Sequence, residues 1–251
     1  MAPFLDRIRK AGACLFGTWA KLGSLETLEM LAWAGYDFVV VDAEHSPHTF
    51  ETTYRCIVAA QGFGMSALVR LPDLHSHDAQ RVLDAGADGV LVPRVRSVDD
   101  ARHAIDMLTF SPAGSRGMGI TSRAGRWGAK PIPEYLAHGD QQVARVLQFE
   151  DREALDQAAA ILDVPGVNSA FIGYGDLSLS SGQPASHPDN ARRVQHWLAA
   201  CRERQLPCGT AVADATAAAR CRDQGFSFVM IGNDAAMFGR AATESLRGLR
   251  G

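Results

Sequence analysis

The stretch DAGADGVLVP, residues 84–93, reads as the end of a helix, a glycine turn, and a short apolar run rich in valine. The same grammar recurs in WAGYDFVVVD (33–42) and DQGFSFVMIG (223–232), and VPGVNSAFIG (164–173) repeats the ending with Pro165 and Gly166 as punctuation. A glycine after an Ala/Leu-rich segment suits the left-handed helix C-cap. An apolar run that does not alternate with polar residues suits a strand covered on both faces. Helices between such strands imply parallel pairing through right-handed crossovers.

Working outward from these repeats, the pattern predicts strands near 13–19, 37–42, 66–70, 89–92, 144–149, 168–173, 207–211 and 228–232. Helices are expected at about 24–34, 50–62, 76–85, 97–108, 151–162, 189–204, 214–224 and 234–247. Eight strand-helix units in 251 residues match the size and grammar of a (β/α)8 TIM barrel, read as a single α/β domain over 1–251. An open doubly wound sheet is the alternative, but no GxGxxG follows the first strand. One connection is long, at about 109–142, and its segment 111–136 is rich in Gly, Pro and Arg. Such a loop is usually functional or disordered, and Arg116, Arg123, Arg126 and Trp127 favour a folded lid or subunit contact. GSRGMG within it resembles a phosphate loop only loosely.

The composition bounds the function. With 47% hydrophobic residues, 21% charged residues and a formal charge of -3, the chain has core material and no cationic face for a nucleic-acid backbone. No window approaches the roughly 20 apolar residues that span a bilayer, and no signal peptide is read at the start. Five cysteines, none spaced as CxxC, fit a reducing cytoplasm better than a disulfide framework.

In such a barrel chemistry gathers where strands run out at their C-terminal ends. After the second strand come Asp42, Glu44 and His45; the third ends at Arg70; the fifth ends at Gln148 and Glu150; the sixth runs into Asp176. Glu150 and Asp176 form a hard-oxygen pair suited to a divalent ion such as Mg, Mn or Co. Such an ion suits a 2-oxo acid, whose ketone oxygen gains negative charge as an enolate forms. Arg70 can donate to that oxygen, and His45 carries the side-chain type that moves protons at neutral pH. Taken singly, each carboxylate has a blander reading as a helix cap or ion-pair partner, Asp42 in particular. His75 and His77 read as a solvated loop with Ser76 as a helix N-cap, and His48 is separated from His45 by the turn at Pro47. A Schiff-base mechanism needs a lysine near a strand end, and of Lys10, Lys21 and Lys130 only Lys21 is placed for it.

Taken in order, FGTWAKLGS, VVVDAEHSP, VRLP at 69–72, LDAGADGVLVPRV at 83–95, SPAGSRGMG at 111–119, LQFED at 147–151 and FIGYGDLS at 171–178 make the chain resemble the HpcH/HpaI aldolases, metal-dependent class II pyruvate aldolases. The resemblance covers almost the whole chain. It implies that Glu150 and Asp176 bind the metal, that Arg70 contacts the enolate oxygen, and that His45 serves in acid/base catalysis linked to Asp84. It also implies that Gln148 and the turn around Gly173 to Gly175 orient pyruvate. A homotrimer or homohexamer is implied too, with the last helix packing on a neighbour. Met237, Phe238, Ala241, Leu246 and Leu249 suit that contact or packing on their own barrel equally. Relatives commonly read GPADLS where this chain reads GYGDLS, which brings the Tyr174 phenol to the carboxylate-binding turn. The reaction expected is reversible cleavage of a 4-hydroxy-2-oxo acid to pyruvate and an aldehyde. Alternatives are another lyase use of the enolate, by oxaloacetate decarboxylation or acyl-CoA cleavage, and a non-catalytic 2-oxo-acid binder.

Overall fold

The computed structural model describes residues 2–10, 12 and 14–249. Eight parallel strands close into one barrel in sequence order: β1 Leu15–Ala20, β2 Phe38–Asp42, β3 Ser66–Arg70, β4 Gly89–Val92, β5 Ala144–Phe149, β6 Ser169–Ile172, β7 Cys208–Val212 and β8 Phe228–Asn233. The helices are α1 Phe4–Ile8, α2 Leu25–Trp33, α3 Phe50–Gly62, α4 Asp78–Asp84, α5 Val98–Leu108, α6 Ile132–Gln141, α7 Arg152–Asp156, α8 Ala158–Leu162, α9 Tyr174–Ser181, α10 Pro188–Glu203, α11 Ala215–Asp223 and α12 Asp234–Ser245. The expected eight-unit barrel is the observed fold.

The strands lack polar alternation because both faces are covered. Phe38, Val40, Leu68, Leu91, Val146, Phe171 and Phe228 point inward into one buried cluster. Their neighbours Val39, Val41, Ala67, Val69, Val90, Val92 and Leu147 point outward against the helices. The short α1 plugs the barrel's N-terminal end with Phe4, whose ring lies 5.1 Å from Phe38 and 5.5 Å from Phe228. Gly17 is required here, since a Cβ at that position would collide with the Phe38 ring.

Some expected elements differ. The helix expected over 151–162 is broken into α7 and α8 at Gln157, whose backbone leaves the helical region (φ -105°, ψ 11°). Ser76 is not the N-cap of α4: His77 occupies that position, and the Ser76 hydroxyl accepts instead from the amide of Asp78 at 3.2 Å. The long connection holds α6 and is folded, but it does not close over the barrel mouth. Arg116 is 3% exposed beneath Phe110, and Arg123 donates to Gln61 at 2.7 Å and to the carbonyl of Ala85. Within GSRGMG, Gly117 packs against Gln80 and Gly119 against the Asp84 carboxylate, the wrong charge for a phosphate cradle. No helix among the described residues is long and apolar enough to cross a membrane.

Candidate active site

The register of β2 against β3 sets Asp42 beside Arg70 at the C-terminal mouth. Arg70 donates from Nε to Asp42 Oδ1 at 2.8 Å and from Nη2 to Oδ2 at 2.7 Å, a bidentate pair. The Lys21 ammonium contacts the same carboxylate from the end of β1. Burial would raise the Asp42 pKa, but Arg70 and Lys21 overcome it and hold the carboxyl well below the usual range. Asp42 is therefore a holder of Arg70, which also lies over the Trp19 ring at 4.1 Å. Lys21, tied to Asp42 and 24% exposed at its side chain, is a structural cation here.

Glu44 is the second partner of Arg70. Its nearly buried carboxylate meets Arg70 Nη1 at 3.2 Å and Arg94 Nη2 at 3.1 Å, and the His45 ring nitrogen Nε2 stands 3.7 Å away. Lys21, Asp42, Arg70, Glu44 and Arg94 thus form a line of alternating charge across β1 to β4. Arg94 has a left-handed backbone (φ 58°), uncommon for a residue with a Cβ. That turn aims its amide at Glu150 Oε1, 2.7 Å away, while its guanidinium reaches Glu44.

A cavity of about 230 Å3 opens at this mouth, lined by Glu44, His45, Arg94, Glu150 and Asp176 among others. Burial pushes the Glu150 carboxyl up to about 7; the Arg94 amide opposes this, and the negative charges of Asp176 and Glu44 add to it. Gln148 donates its amide to Glu150 Oε2, and its own Oε1 is buried without a partner. Gly173 lies directly against this pair, where a Cβ would come within 3.2 Å of Gln148 Nε2 and 3.3 Å of Glu150 Cβ. Gly175 faces open space. Two hard carboxylates in one cavity, with the negative charge of Asp176 adding to the proton affinity of Glu150, fit a divalent cation. Among the described residues no group of three or more His, Cys, Asp and Glu side chains is placed to hold a metal ion; Glu150 and Asp176 would hold one as a pair.

The structure brings His45, Glu150 and Asp176 to one cavity, with Arg70 behind Glu44 and Gln148 and Gly173 against Glu150. It does not bring Asp84 there. Asp84 ends α4, where Arg116 Nη2 and the Tyr135 hydroxyl each lie 3.3 Å from Oδ1, so within this chain it makes no link to His45. Tyr174 also departs from expectation. Its ring packs outward into the layer between strands and helices, and it does not line the cavity. Arg94 and the organising role of Glu44 went unread in the sequence; the signal was PRVR directly after the fourth strand, two cations at a barrel mouth.

A closed parallel barrel whose C-terminal mouth gathers a histidine, an arginine and paired carboxylates is the architecture of a barrel enzyme. The chain belongs to the HpcH/HpaI aldolase/citrate lyase family, whose model matches residues 15–241. It is 34% identical over 236 residues to the 4-hydroxy-2-oxo-heptane-1,7-dioate aldolase of Escherichia coli, covering 93% of this chain and 89% of that one. It is 32% identical over 238 residues to the 2-keto-3-deoxy-L-rhamnonate aldolase of Klebsiella pneumoniae, covering 94% and 88%. The crystal structure of a family member from Burkholderia cenocepacia superposes with a TM-score of 0.90 at 30% identity, over 100% of both chains.

Proposed function

We propose that this protein is a divalent-metal-dependent aldolase that reversibly cleaves 4-hydroxy-2-oxo acids to pyruvate and an aldehyde. The observation that carries this reading is the meeting of His45, Glu150 and Asp176 in one cavity, with the Arg70 guanidinium held in place immediately behind it. A divalent ion on Glu150 and Asp176 would supply Lewis-acid stabilisation of charge developing on the 2-oxo group.

The chain's own residues account for the rest. His45 takes the proton of the 4-hydroxyl, the C3–C4 bond breaks, and its electron pair passes to C3 and the ketone oxygen of pyruvate. Arg70 has five N–H groups. Two are hydrogen-bonded to Asp42 and Nη1 stands 3.2 Å from Glu44 as an ion pair, which leaves N–H groups of the guanidinium to donate to the enolate oxygen. Glu44 stands next to both groups and stabilises His45 once it carries the proton. Protonation at C3 then gives pyruvate. A positioned base of this kind supplies roughly 10²–10⁴-fold in rate.

The same reading includes a homotrimer or homohexamer built through α12. Met237 packs on the barrel's own core, whereas Phe238, Leu246 and Leu249 remain 69%, 47% and 76% exposed and are free to meet a neighbour. Light scattering coupled to gel filtration tests the assembly.

Proton NMR of pyruvate in D2O tests the chemistry, using protein stripped of metal and then supplied with Mg, Mn or Co ions. Metal-dependent loss of the methyl signal is expected. A folded, metal-binding protein that gives no exchange with any ion overturns the reading.

A further inference from the structure

At about 230 Å3 the inner cavity falls below the roughly 300–1,000 Å3 usual for small-molecule sites, and its walls already include His45, Glu150 and Asp176. A second cavity of about 500 Å3 adjoins it, with Arg96, Asp151 and Ser180 in both walls. A substrate whose 2-oxo end lies beside Glu150 therefore extends its far end past Arg96 into the outer space.

The chemistry of that outer space is specific. Arg96 is anchored at one edge, donating from Nε to Asp151 Oδ2 at 2.7 Å, and Asp151 is itself fixed as the N-cap of α7 through the Ala154 amide at 2.8 Å. Among the described residues nothing engages the Arg96 Nη1 and Nη2 fork or the Arg152 guanidinium, which stands in the wall of the outer cavity. Of the acids in that wall, Asp151 is taken by Arg96 and Asp156 by Arg193 at 2.7 Å, leaving Glu153 as the unpaired one. An anchored guanidinium with a free fork is the group that binds a carboxylate through two parallel hydrogen bonds.

We propose that Arg96, with Arg152, is a specificity-determining residue that selects aldehyde partners whose far end carries a carboxylate. The proposal rests on the aldolase reading and names the acceptor class for that site.

The test is the ratio of kcat/KM for pyruvate addition to 4-oxobutanoate over that for 4-methylpentanal, a neutral aldehyde of the same length and branching. The native protein should prefer the carboxylate by about ten- to hundred-fold. In Arg96→Ala the ratio should fall toward one. Arg96→Lys keeps a cation that reaches Asp151 but loses the fork, and its ratio should fall by severalfold; it serves if the alanine variant does not fold. A native ratio near one, or a ratio unchanged in either variant, overturns the proposal. Deuterium exchange into pyruvate by the native protein needs no aldehyde. Exchange with a native ratio near one removes this inference alone, whereas absence of exchange removes the aldolase reading beneath it.

Discussion

Asp42 and Arg70 face each other on adjacent strand ends and share two hydrogen bonds of 2.8 and 2.7 Å, with side chains 0% and 6% exposed. Neither charge could remain buried alone, so the pair is a single unit whose output is the direction in which the remaining Arg70 donors point. Everything at the mouth that handles negative charge depends on that unit, because Glu44 is set by Arg70 in turn.

Removing one half should therefore cost far more than a surface ion pair. Asp42→Ala leaves a buried guanidinium unpaired and should lower stability by about 3–5 kcal/mol, read as a shift in the urea midpoint. Pyruvate exchange should fall with it. The Asp42 pKa lies below its unfolded value, so the pair's contribution is fully present above the unfolded value near 3.8 and is lost as pH falls through the folded one. Asp42→Asn should remove that acid-side dependence.

Glu150 behaves in the opposite sense. Its folded pKa is raised from 4.5 to about 7, so the folded state holds the proton more tightly than the unfolded chain does. Stability of the metal-free protein should then decline as pH rises from 4.5 to 7, by on the order of 3 kcal/mol, and level off above. Glu150→Gln, neutral and of the same shape, should flatten that decline in urea titrations run at several pH values.

The barrel was legible because each strand carries one physical signature, an apolar run buried on both faces, and the helices before β2, β3, β4 and β8 are each followed by a glycine with positive φ. The bounds of β3, β4 and β5 agree with the sequence reading residue for residue. The plug α1 escaped notice because five residues give no helical period. Break points such as Gln157 depend on packing between helices, which periodicity does not report. At the site, Glu150, Asp176, Arg70 and His45 were visible as polar, proton-active or ionic groups at the ends of apolar runs. The bonds of Glu44 to Arg70 and Arg94 were not, because they join three different strand ends and depend on the register of the closed sheet. Asp84 came from the resemblance alone, and within this chain its carboxylate meets Arg116 and Tyr135.

Glu150→Ala and Asp176→Ala should each abolish divalent-ion binding, followed by calorimetry, and pyruvate exchange, while circular dichroism stays native. Loss of Glu150 removes a buried carboxyl that the metal-free fold keeps ionised only at a cost, so no collapse is expected. Retained exchange in either variant after thorough chelation would show that these carboxylates are not the ligands.

Arg94 separates backbone from side chain. Arg94→Gly suits the positive φ of 58° and keeps the amide on Glu150, but it deletes the guanidinium on Glu44. Stability and metal affinity should be held and the exchange rate should drop. Arg94→Val places a β-branched side chain in the left-handed region and should lose about 1–3 kcal/mol. Equal stability of the two variants would show that the backbone there stores no strain.

Phe4 closes the end of the barrel opposite the chemistry. Phe4 is fully buried and is the only aromatic ring of α1, packed against Phe38 and Phe228, whose rings also meet each other at 6.0 Å. Phe4→Ala opens a void between strands β2 and β8 that the closed sheet cannot collapse to fill, so about 3–5 kcal/mol should be lost. Phe4→Leu keeps most of the volume and should lose less than half of that. The mouth is built from other residues, so both variants should still catalyse pyruvate exchange at temperatures where they are folded. A Phe4→Ala protein as stable as the native one would mean that α1 does not plug the barrel in solution.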